Sequence, residues 1–100
     1  MISLKIFISS NAMNWFHEEM EVKAGDKIRF YARYGGSSPL HDGFSIGMTM
    51  DTPIIPSVTI TIENILFFIE ELDEWYFDGH DLYVDLNPKA DELAYAYKKA

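Results

Sequence analysis

The stretch KIRFYARYGGSSPLHDGFSIGMTM, residues 27–50, contains two runs in which apolar and polar residues alternate. The apolar positions are Ile28, Phe30, Ala32 and Tyr34, and then Phe44, Ile46, Met48 and Met50. Successive side chains of a strand point to opposite faces of a sheet, so the alternation predicts strands over residues 27–34 and 44–50. Gly35 and Gly36 lie between the runs, where glycine permits the positive φ of a tight turn.

The same kind of pattern predicts four further strands, over residues 2–8, 57–62, 65–69 and 80–86. Glu63 and Asn64 separate two of these strands and are typical of a tight hairpin. Residues 51–56 contain Pro53 and Pro56, and this segment is expected outside the sheets because proline cannot donate a backbone hydrogen bond.

A helical period over residues 10–21 predicts one helix, and Ser9 or Ser10 can cap its first turn. The acidic segment 70–77 is expected to form a second, short helix. Its packing side chains would be Leu72, Trp75 and Tyr76. Residues 91–100 fit a helix and a strand equally. Strands dominate, so the predicted fold class is mainly β with short α-helices.

Composition indicates one domain spanning residues 1–100, because 48% of the chain is hydrophobic and 15% is aromatic. The net charge is −8, and nearly all the excess acid lies in residues 51–100, so a nucleic-acid partner is not expected. The chain has no cysteine, which excludes disulfides and thiolate ligands. No apolar stretch reaches the roughly 20 residues that span a bilayer. We therefore expect a cytoplasmic protein with no membrane partner.

The sequence GFSIG, residues 43–47, matches the Gly-x-Ser-x-Gly pattern of hydrolase nucleophiles. That pattern works where a strained strand-to-helix turn lifts the serine above a large sheet, whereas Ser45 lies inside an alternating strand. We interpret Ser45 as an ordinary strand residue, and no catalytic residue is expected.

Two polar turns carry residue types that bind divalent ions. They contain His41 with Asp42 and His80 with Asp81. Imidazole and carboxylate groups suit zinc, iron or manganese, but the spacing is not diagnostic. The alternative is that these are ordinary surface residues in turns.

Charged residues form two further candidate sites. Glu70, Glu71, Asp73 and Glu74 are interpreted as a solvated helix start, where the backbone dipole favours carboxylates. Arg29, Tyr31 and Arg33 form a cationic and aromatic strip that would suit an anion or an acidic partner. A solvent-facing strand surface is the other interpretation of that strip.

In chain order, the pieces are a capped helix, a strand ending in Gly35-Gly36-Ser37-Ser38, then Gly43-Phe44 after an insertion at residues 39–42. Asn87-Pro88-Lys89-Ala90 follows near the end of the chain. This order resembles the HesB-like family, which has the A-type iron–sulfur carrier fold, and within it the cysteine-lacking YneR-type subgroup. The resemblance covers nearly the whole chain and implies a pseudobarrel of mixed sheet with an N-terminal helix.

The family has Gly-Gly-Cys-Ser-Gly-Phe at the first of these runs, so Ser37 stands where the first cluster cysteine would be. The family's Cys-x-Cys tail is replaced by Asp91-Glu92-Leu93. Soft thiolates hold iron–sulfur clusters, whereas a serine hydroxyl is harder and stays protonated at neutral pH. No cofactor is therefore expected.

The leading hypothesis is a small non-enzymatic binding or accessory protein on this iron–sulfur-biogenesis-type scaffold, with iron–sulfur assembly proteins as partners. Its candidate binding residues are Ser37, Ser38, Arg29 and Arg33. The first alternative is a metal-binding protein or small hydrolase that uses the two His-Asp pairs. The second is a self-associating structural protein, such as a homodimer. It rests on more aromatic residues than one small core needs, namely Phe67, Phe68, Trp75, Tyr76, Tyr95 and Tyr97.

Overall fold

Two mixed β-sheets and two short helices build the fold in a computed structural model, which describes residues 4–100. The elements are β1 (Ile6–Ile8), α1 (Ser10–Glu19), β2 (Lys27–Ser37), β3 (Asp42–Met50), β4 (Pro56–Ile62), β5 (Ile65–Glu70), a 3-10 turn (Glu71–Asp73), α2 (Glu74–Phe77), β6 (His80–Asn87) and β7 (Glu92–Lys99). The predicted class, mainly β with short α-helices, is confirmed.

One sheet has four strands in the order β3-β2-β5-β4, and the other has three in the order β1-β6-β7. Each sheet is mixed, because the β2–β5 and β1–β6 pairs are parallel and the other pairs are antiparallel. The β4–β5 hairpin turns at Glu63 and Asn64, which both have positive φ, as the sequence predicts.

The hydrophobic core lies between the two sheets. The ring of Phe30 in β2 is 6.3 Å from the ring of Tyr95 in β7, measured between centroids, so the sheets face each other directly. Helix α1 inserts Phe16, whose ring lies 5.2 Å from that of Phe67 in β5. Its N-terminus is capped by Ser9, whose hydroxyl accepts a hydrogen bond from the N–H of Ala12 at 3.1 Å.

Most predicted elements are present with small shifts at their ends. Helix α1 ends at Glu19, two residues before the predicted end, and the ambiguous tail forms strand β7. The first predicted strand is observed at Ile6–Ile8, and its residues 2–3 lie outside the described part. No helix within residues 4–100 is long and apolar enough to span a membrane.

Three local predictions are wrong. Gly35 and Gly36 do have positive φ, but they form a bulge inside β2, opposite Gly43 alone, and the turn itself follows after Ser37. Pro56 begins β4 and pairs with Glu70, which is compatible with proline because β4 is an edge strand. Leu72 does not pack in the interior, because its residue is 67% exposed.

Candidate functional site

The outer face of the four-stranded sheet is crossed by residues 51–55, which connect β3 at one edge with β4 at the other. Strand alternation places Arg29 on this face, opposite the buried Ile28 and Phe30. Its Nη1 lies 3.3 Å from Asp51 Oδ2 and its Nη2 lies 2.6 Å from Asp73 Oδ2. Arg29, a candidate binding residue of the predicted cationic strip, is therefore paired with two carboxylates and joins the crossing segment to the 3-10 turn.

Asp73 is buried, with 4% of the residue exposed. Its Oδ1 accepts a hydrogen bond from the N–H of Ala32 at 3.3 Å. The pairing of β2 with β5 ends at Arg29, so this carboxylate takes the place of a strand partner for Ala32. The hydrogen bond and charge of Asp73 raise the pKa of Arg29 above its ordinary value, against the opposing effect of burial. The carboxylate is thus satisfied by one guanidinium and one backbone donor.

Glu70 is also buried, with 3% of the residue exposed. Its carboxylate accepts hydrogen bonds from the N–H of Ile54 at 3.1 Å and from the N–H of Ile55 at 3.3 Å. The carbonyl of Ile55 in turn accepts from the N–H of Glu71 at 2.9 Å. The prediction of a solvated acidic helix start is therefore wrong for Glu70 and Asp73, while Glu71 is exposed as expected and Glu74 is partly exposed.

Three aliphatic side chains lie around the buried carboxylate of Glu70 and face solvent. The exposed fraction is 84% for Ile54, 60% for Ile55 and 67% for Leu72. Together with Glu70 and Glu71 they line an open cavity of about 210 Å³. We call Ile54, Ile55 and Leu72 the aliphatic surface. The sequence signal for it was an Ile-Ile pair between two prolines, in a segment where neither isoleucine can enter the core through a regular strand.

An aromatic group adjoins the aliphatic surface through the short helical segment. Trp75 follows Leu72 by three residues, a spacing that brings helical side chains to the same side, and it is half exposed. The ring of Trp75 lies 5.2 Å from that of Phe44, and Phe44 lies 5.6 Å from the exposed Tyr34. Trp75 is half exposed and Tyr34 is largely exposed. The alternation in β2 predicts Tyr34 on the core face, and that prediction is wrong.

Ser37 and Ser38 have structural roles at the turn between β2 and β3. The hydroxyl of Ser38 accepts hydrogen bonds from the N–H groups of Leu40 and His41 at 3.3 and 3.2 Å, which closes the turn between β2 and β3. Ser37 pairs with Asp42 at the end of the hairpin. These two serines also line an open cavity of about 200 Å³ with Tyr95 and Tyr97.

Ser45 lies in β3, as predicted for a strand residue. Its hydroxyl donates to the carbonyl of Gly35 at 3.1 Å and accepts from Arg33 Nε at 3.3 Å. The Ser45 side chain therefore supports the bulge, and Arg33 is the member of the predicted cationic strip that stays exposed.

The four candidate metal ligands have separate structural contacts. The ring of His41 lies 5.3 Å from Trp75 and 5.6 Å from Tyr76, between centroids. His80 Nδ1 lies 2.9 Å from the carbonyl oxygen of Asp78, and Asp81 Oδ1 accepts from the N–H of Lys5 at 2.7 Å. Within residues 4–100, no three His, Cys, Asp or Glu side chains are grouped so that they could hold a metal ion.

The aromatic surplus that suggests self-association is largely interior. Phe67, Phe68 and Tyr76 are fully buried, whereas Trp75 is half exposed. Among these residues, only Trp75 therefore contributes a large exposed apolar area.

Comparison with known proteins gives relatives of the same length. The chain is 44% identical over 95 residues to a protein of Bacillus subtilis (strain 168) named pyruvate dehydrogenase inhibitor, and the alignment covers 95% of this chain and 100% of that protein. It is 41% identical over 100 residues to an uncharacterised protein of Staphylococcus saprophyticus, with 95% and 100% of the two chains covered. No family model matches the chain. No solved structure matches it either.

Proposed function

Because the chain belongs to the family that includes the Bacillus subtilis protein named pyruvate dehydrogenase inhibitor, we propose that it is a non-enzymatic protein that binds and inhibits a pyruvate dehydrogenase. The observation that carries this proposal is the 44% identity, which extends over 100% of the relative. An alignment over only part of a larger relative would support the proposal less, because the inhibitory segment of that relative could then lie outside the aligned residues.

The physical character of the molecule is compatible with such a role. A domain with exposed aliphatic and aromatic side chains can bury them against a partner, and exposed apolar patches often mark contacts between proteins. The net charge of −8 would steer the chain toward a basic surface. The Ser45 hydroxyl, which carried the hydrolase pattern, is engaged with the Gly35 carbonyl, and this favours a binding protein over a hydrolase.

The HesB-like scaffold, and with it a contact to iron–sulfur assembly proteins, stays part of the proposal. It rests on the run from Gly35 to Phe44 and on the residues from Asn87 to Ala90. With Ser37 at the position of a cluster cysteine, we propose that this branch of the scaffold binds a protein in place of a cluster.

The test is an activity titration. Purified chain is added in increasing amounts to pyruvate dehydrogenase from Bacillus subtilis and from the chain's own host, and the rate of pyruvate oxidation is measured. We expect the rate to fall and then level off as the enzyme becomes saturated. An unchanged rate at a large molar excess of the chain, with both enzymes, would refute the proposed function.

A further inference from the structure

The aliphatic surface is held in place by interior groups. Two adjacent backbone N–H groups, those of Ile54 and Ile55, donate to the buried carboxylate of Glu70. The same segment is held by two further contacts: the Ile55 carbonyl accepts from the N–H of Glu71, and Asp51 pairs with Arg29. A connection that only had to link β3 with β4 could carry polar residues, as loops commonly do. Here a defined backbone presents two isoleucines outward.

Acidic groups surround the aliphatic surface. Glu71 lines the same cavity, and Glu74 follows on the first turn of α2, where it accepts a hydrogen bond from the Ser57 hydroxyl. Glu71 is exposed, Glu74 is partly exposed, and Asp51 has 46% of its side chain exposed. The guanidinium next to this surface, that of Arg29, is already paired with Asp51 and Asp73. A binding segment would therefore be matched best by an apolar side chain with lysine or arginine beside it.

Resting on the proposed function, we infer that Ile54, Ile55 and Leu72 form the contact that seats a basic, apolar-tipped segment of pyruvate dehydrogenase. The partner's apolar side chain enters the cavity of about 210 Å³, and its cations face Glu71 and Glu74. A second copy of this chain fits less well, because a two-fold contact through this surface would bring two acidic rims together.

The experiment compares binding of four proteins to intact pyruvate dehydrogenase by sedimentation. They are the wild type, Ile54→Asp, Leu72→Asp, and the matched control Ala96→Asp. Ala96 is exposed on β7 in the other sheet, so the control adds the same charge away from the aliphatic surface. Ile54 and Leu72 are largely exposed, so these variants should keep the fold, and thermal unfolding is measured for each.

We expect Kd to rise at least tenfold for Ile54→Asp and Leu72→Asp, and less than twofold for Ala96→Asp. We also expect Glu71→Gln/Glu74→Gln to weaken binding at low salt and to reduce its salt dependence. If wild type binds and both aspartate variants bind within twofold of it, the surface assignment is wrong while the proposed function stands.

If wild type does not bind at all, the proposed function and this inference fail together. A concentration-dependent dimer of the wild type alone that Ile54→Asp abolishes would overturn the partner assignment in favour of a second copy.

Discussion

The carboxylate of Glu70, at the end of β5, accepts a hydrogen bond from the backbone N–H of Ile54 at 3.1 Å. Glu70 is almost fully buried, whereas the side chain of Ile54 is almost fully exposed. The buried carboxylate of Glu70 thus fixes the position of the backbone that presents the Ile54 side chain to solvent. This relationship connects the stability of the sheet with the shape of the aliphatic surface.

Glu70→Gln should loosen this connection while keeping the size of the side chain. An amide presents one acceptor oxygen in place of two and adds an N–H₂ donor near the backbone donors, so we expect a loss of about 1–3 kcal/mol in the free energy of unfolding. Hydrogen exchange at the Ile54 and Ile55 amides should also become faster. The exposed Glu71→Gln is the control and should change stability by less than about 0.5 kcal/mol. Unchanged exchange at both amides would contradict the role given to Glu70.

Arg29→Met should be more damaging, because it leaves the carboxylate of Asp73 buried without a cation. We expect a loss of about 3 kcal/mol or more in the free energy of unfolding, measured by urea denaturation. Asp51→Asn removes only the longer and more exposed contact and should cost less than about 1 kcal/mol. The double variant Arg29→Met/Asp73→Leu should recover part of the loss. Equal effects of Arg29→Met and Asp51→Asn would show that the buried pair is not the important one.

Ser45→Ala tests whether the serine is structural. The variant loses the hydrogen bond to the Gly35 carbonyl, so we expect a decrease of about 1 kcal/mol in stability and full retention of inhibitory activity at 25 °C. Ser45→Thr keeps the hydroxyl and serves as a control for the hydrogen bond. Loss of function in a folded Ser45→Ala protein would return the hydrolase interpretation to consideration.

Much of the fold can be predicted from the sequence. The strands β2, β3 and β4 need apolar side chains on the face that packs against the core, and this need appears in the sequence as an alternation of apolar and polar residues. The buried roles of Glu70, Asp73 and Arg29 could not be predicted. Each is a charged residue whose burial depends on partners distant in sequence, and no local pattern pairs Arg29 with Asp73. The aliphatic surface was missed for a related reason, since exposure of Ile54 depends on how residues 51–55 cross the sheet.

Alkaline pH should destabilise the protein through two partly buried tyrosines, Tyr95 and Tyr97. Burial raises the pKa of Tyr95 from its ordinary value of 10.0 to about 12, and it also raises the pKa of Tyr97, whose hydroxyl lies 3.0 Å from that of Tyr76. Between these values the unfolded chain releases the Tyr95 proton while the folded chain retains it. Stability should therefore be intact below pH 10 and fall as the pH rises toward about 12.

The measurement is the free energy of unfolding from pH 8 upward, in wild type and in Tyr95→Phe. The phenylalanine variant cannot ionise at this position, so its stability should fall less steeply above pH 10. Parallel curves for the two proteins would mean that Tyr95 is not protected from ionisation by the fold.

If the chain inhibits by binding alone, as we propose, its inhibition must be reversible, and dilution of the inhibited enzyme tests this claim. Pyruvate dehydrogenase is inhibited with a saturating amount of the chain, the mixture is diluted far below the Kd, and the rate of pyruvate oxidation is followed over time. Mass action predicts that inhibition saturates at a fixed stoichiometry and that the full rate returns after dilution. Progressive inactivation by substoichiometric chain, with no recovery on dilution, would contradict the claim and indicate an enzyme that modifies its target.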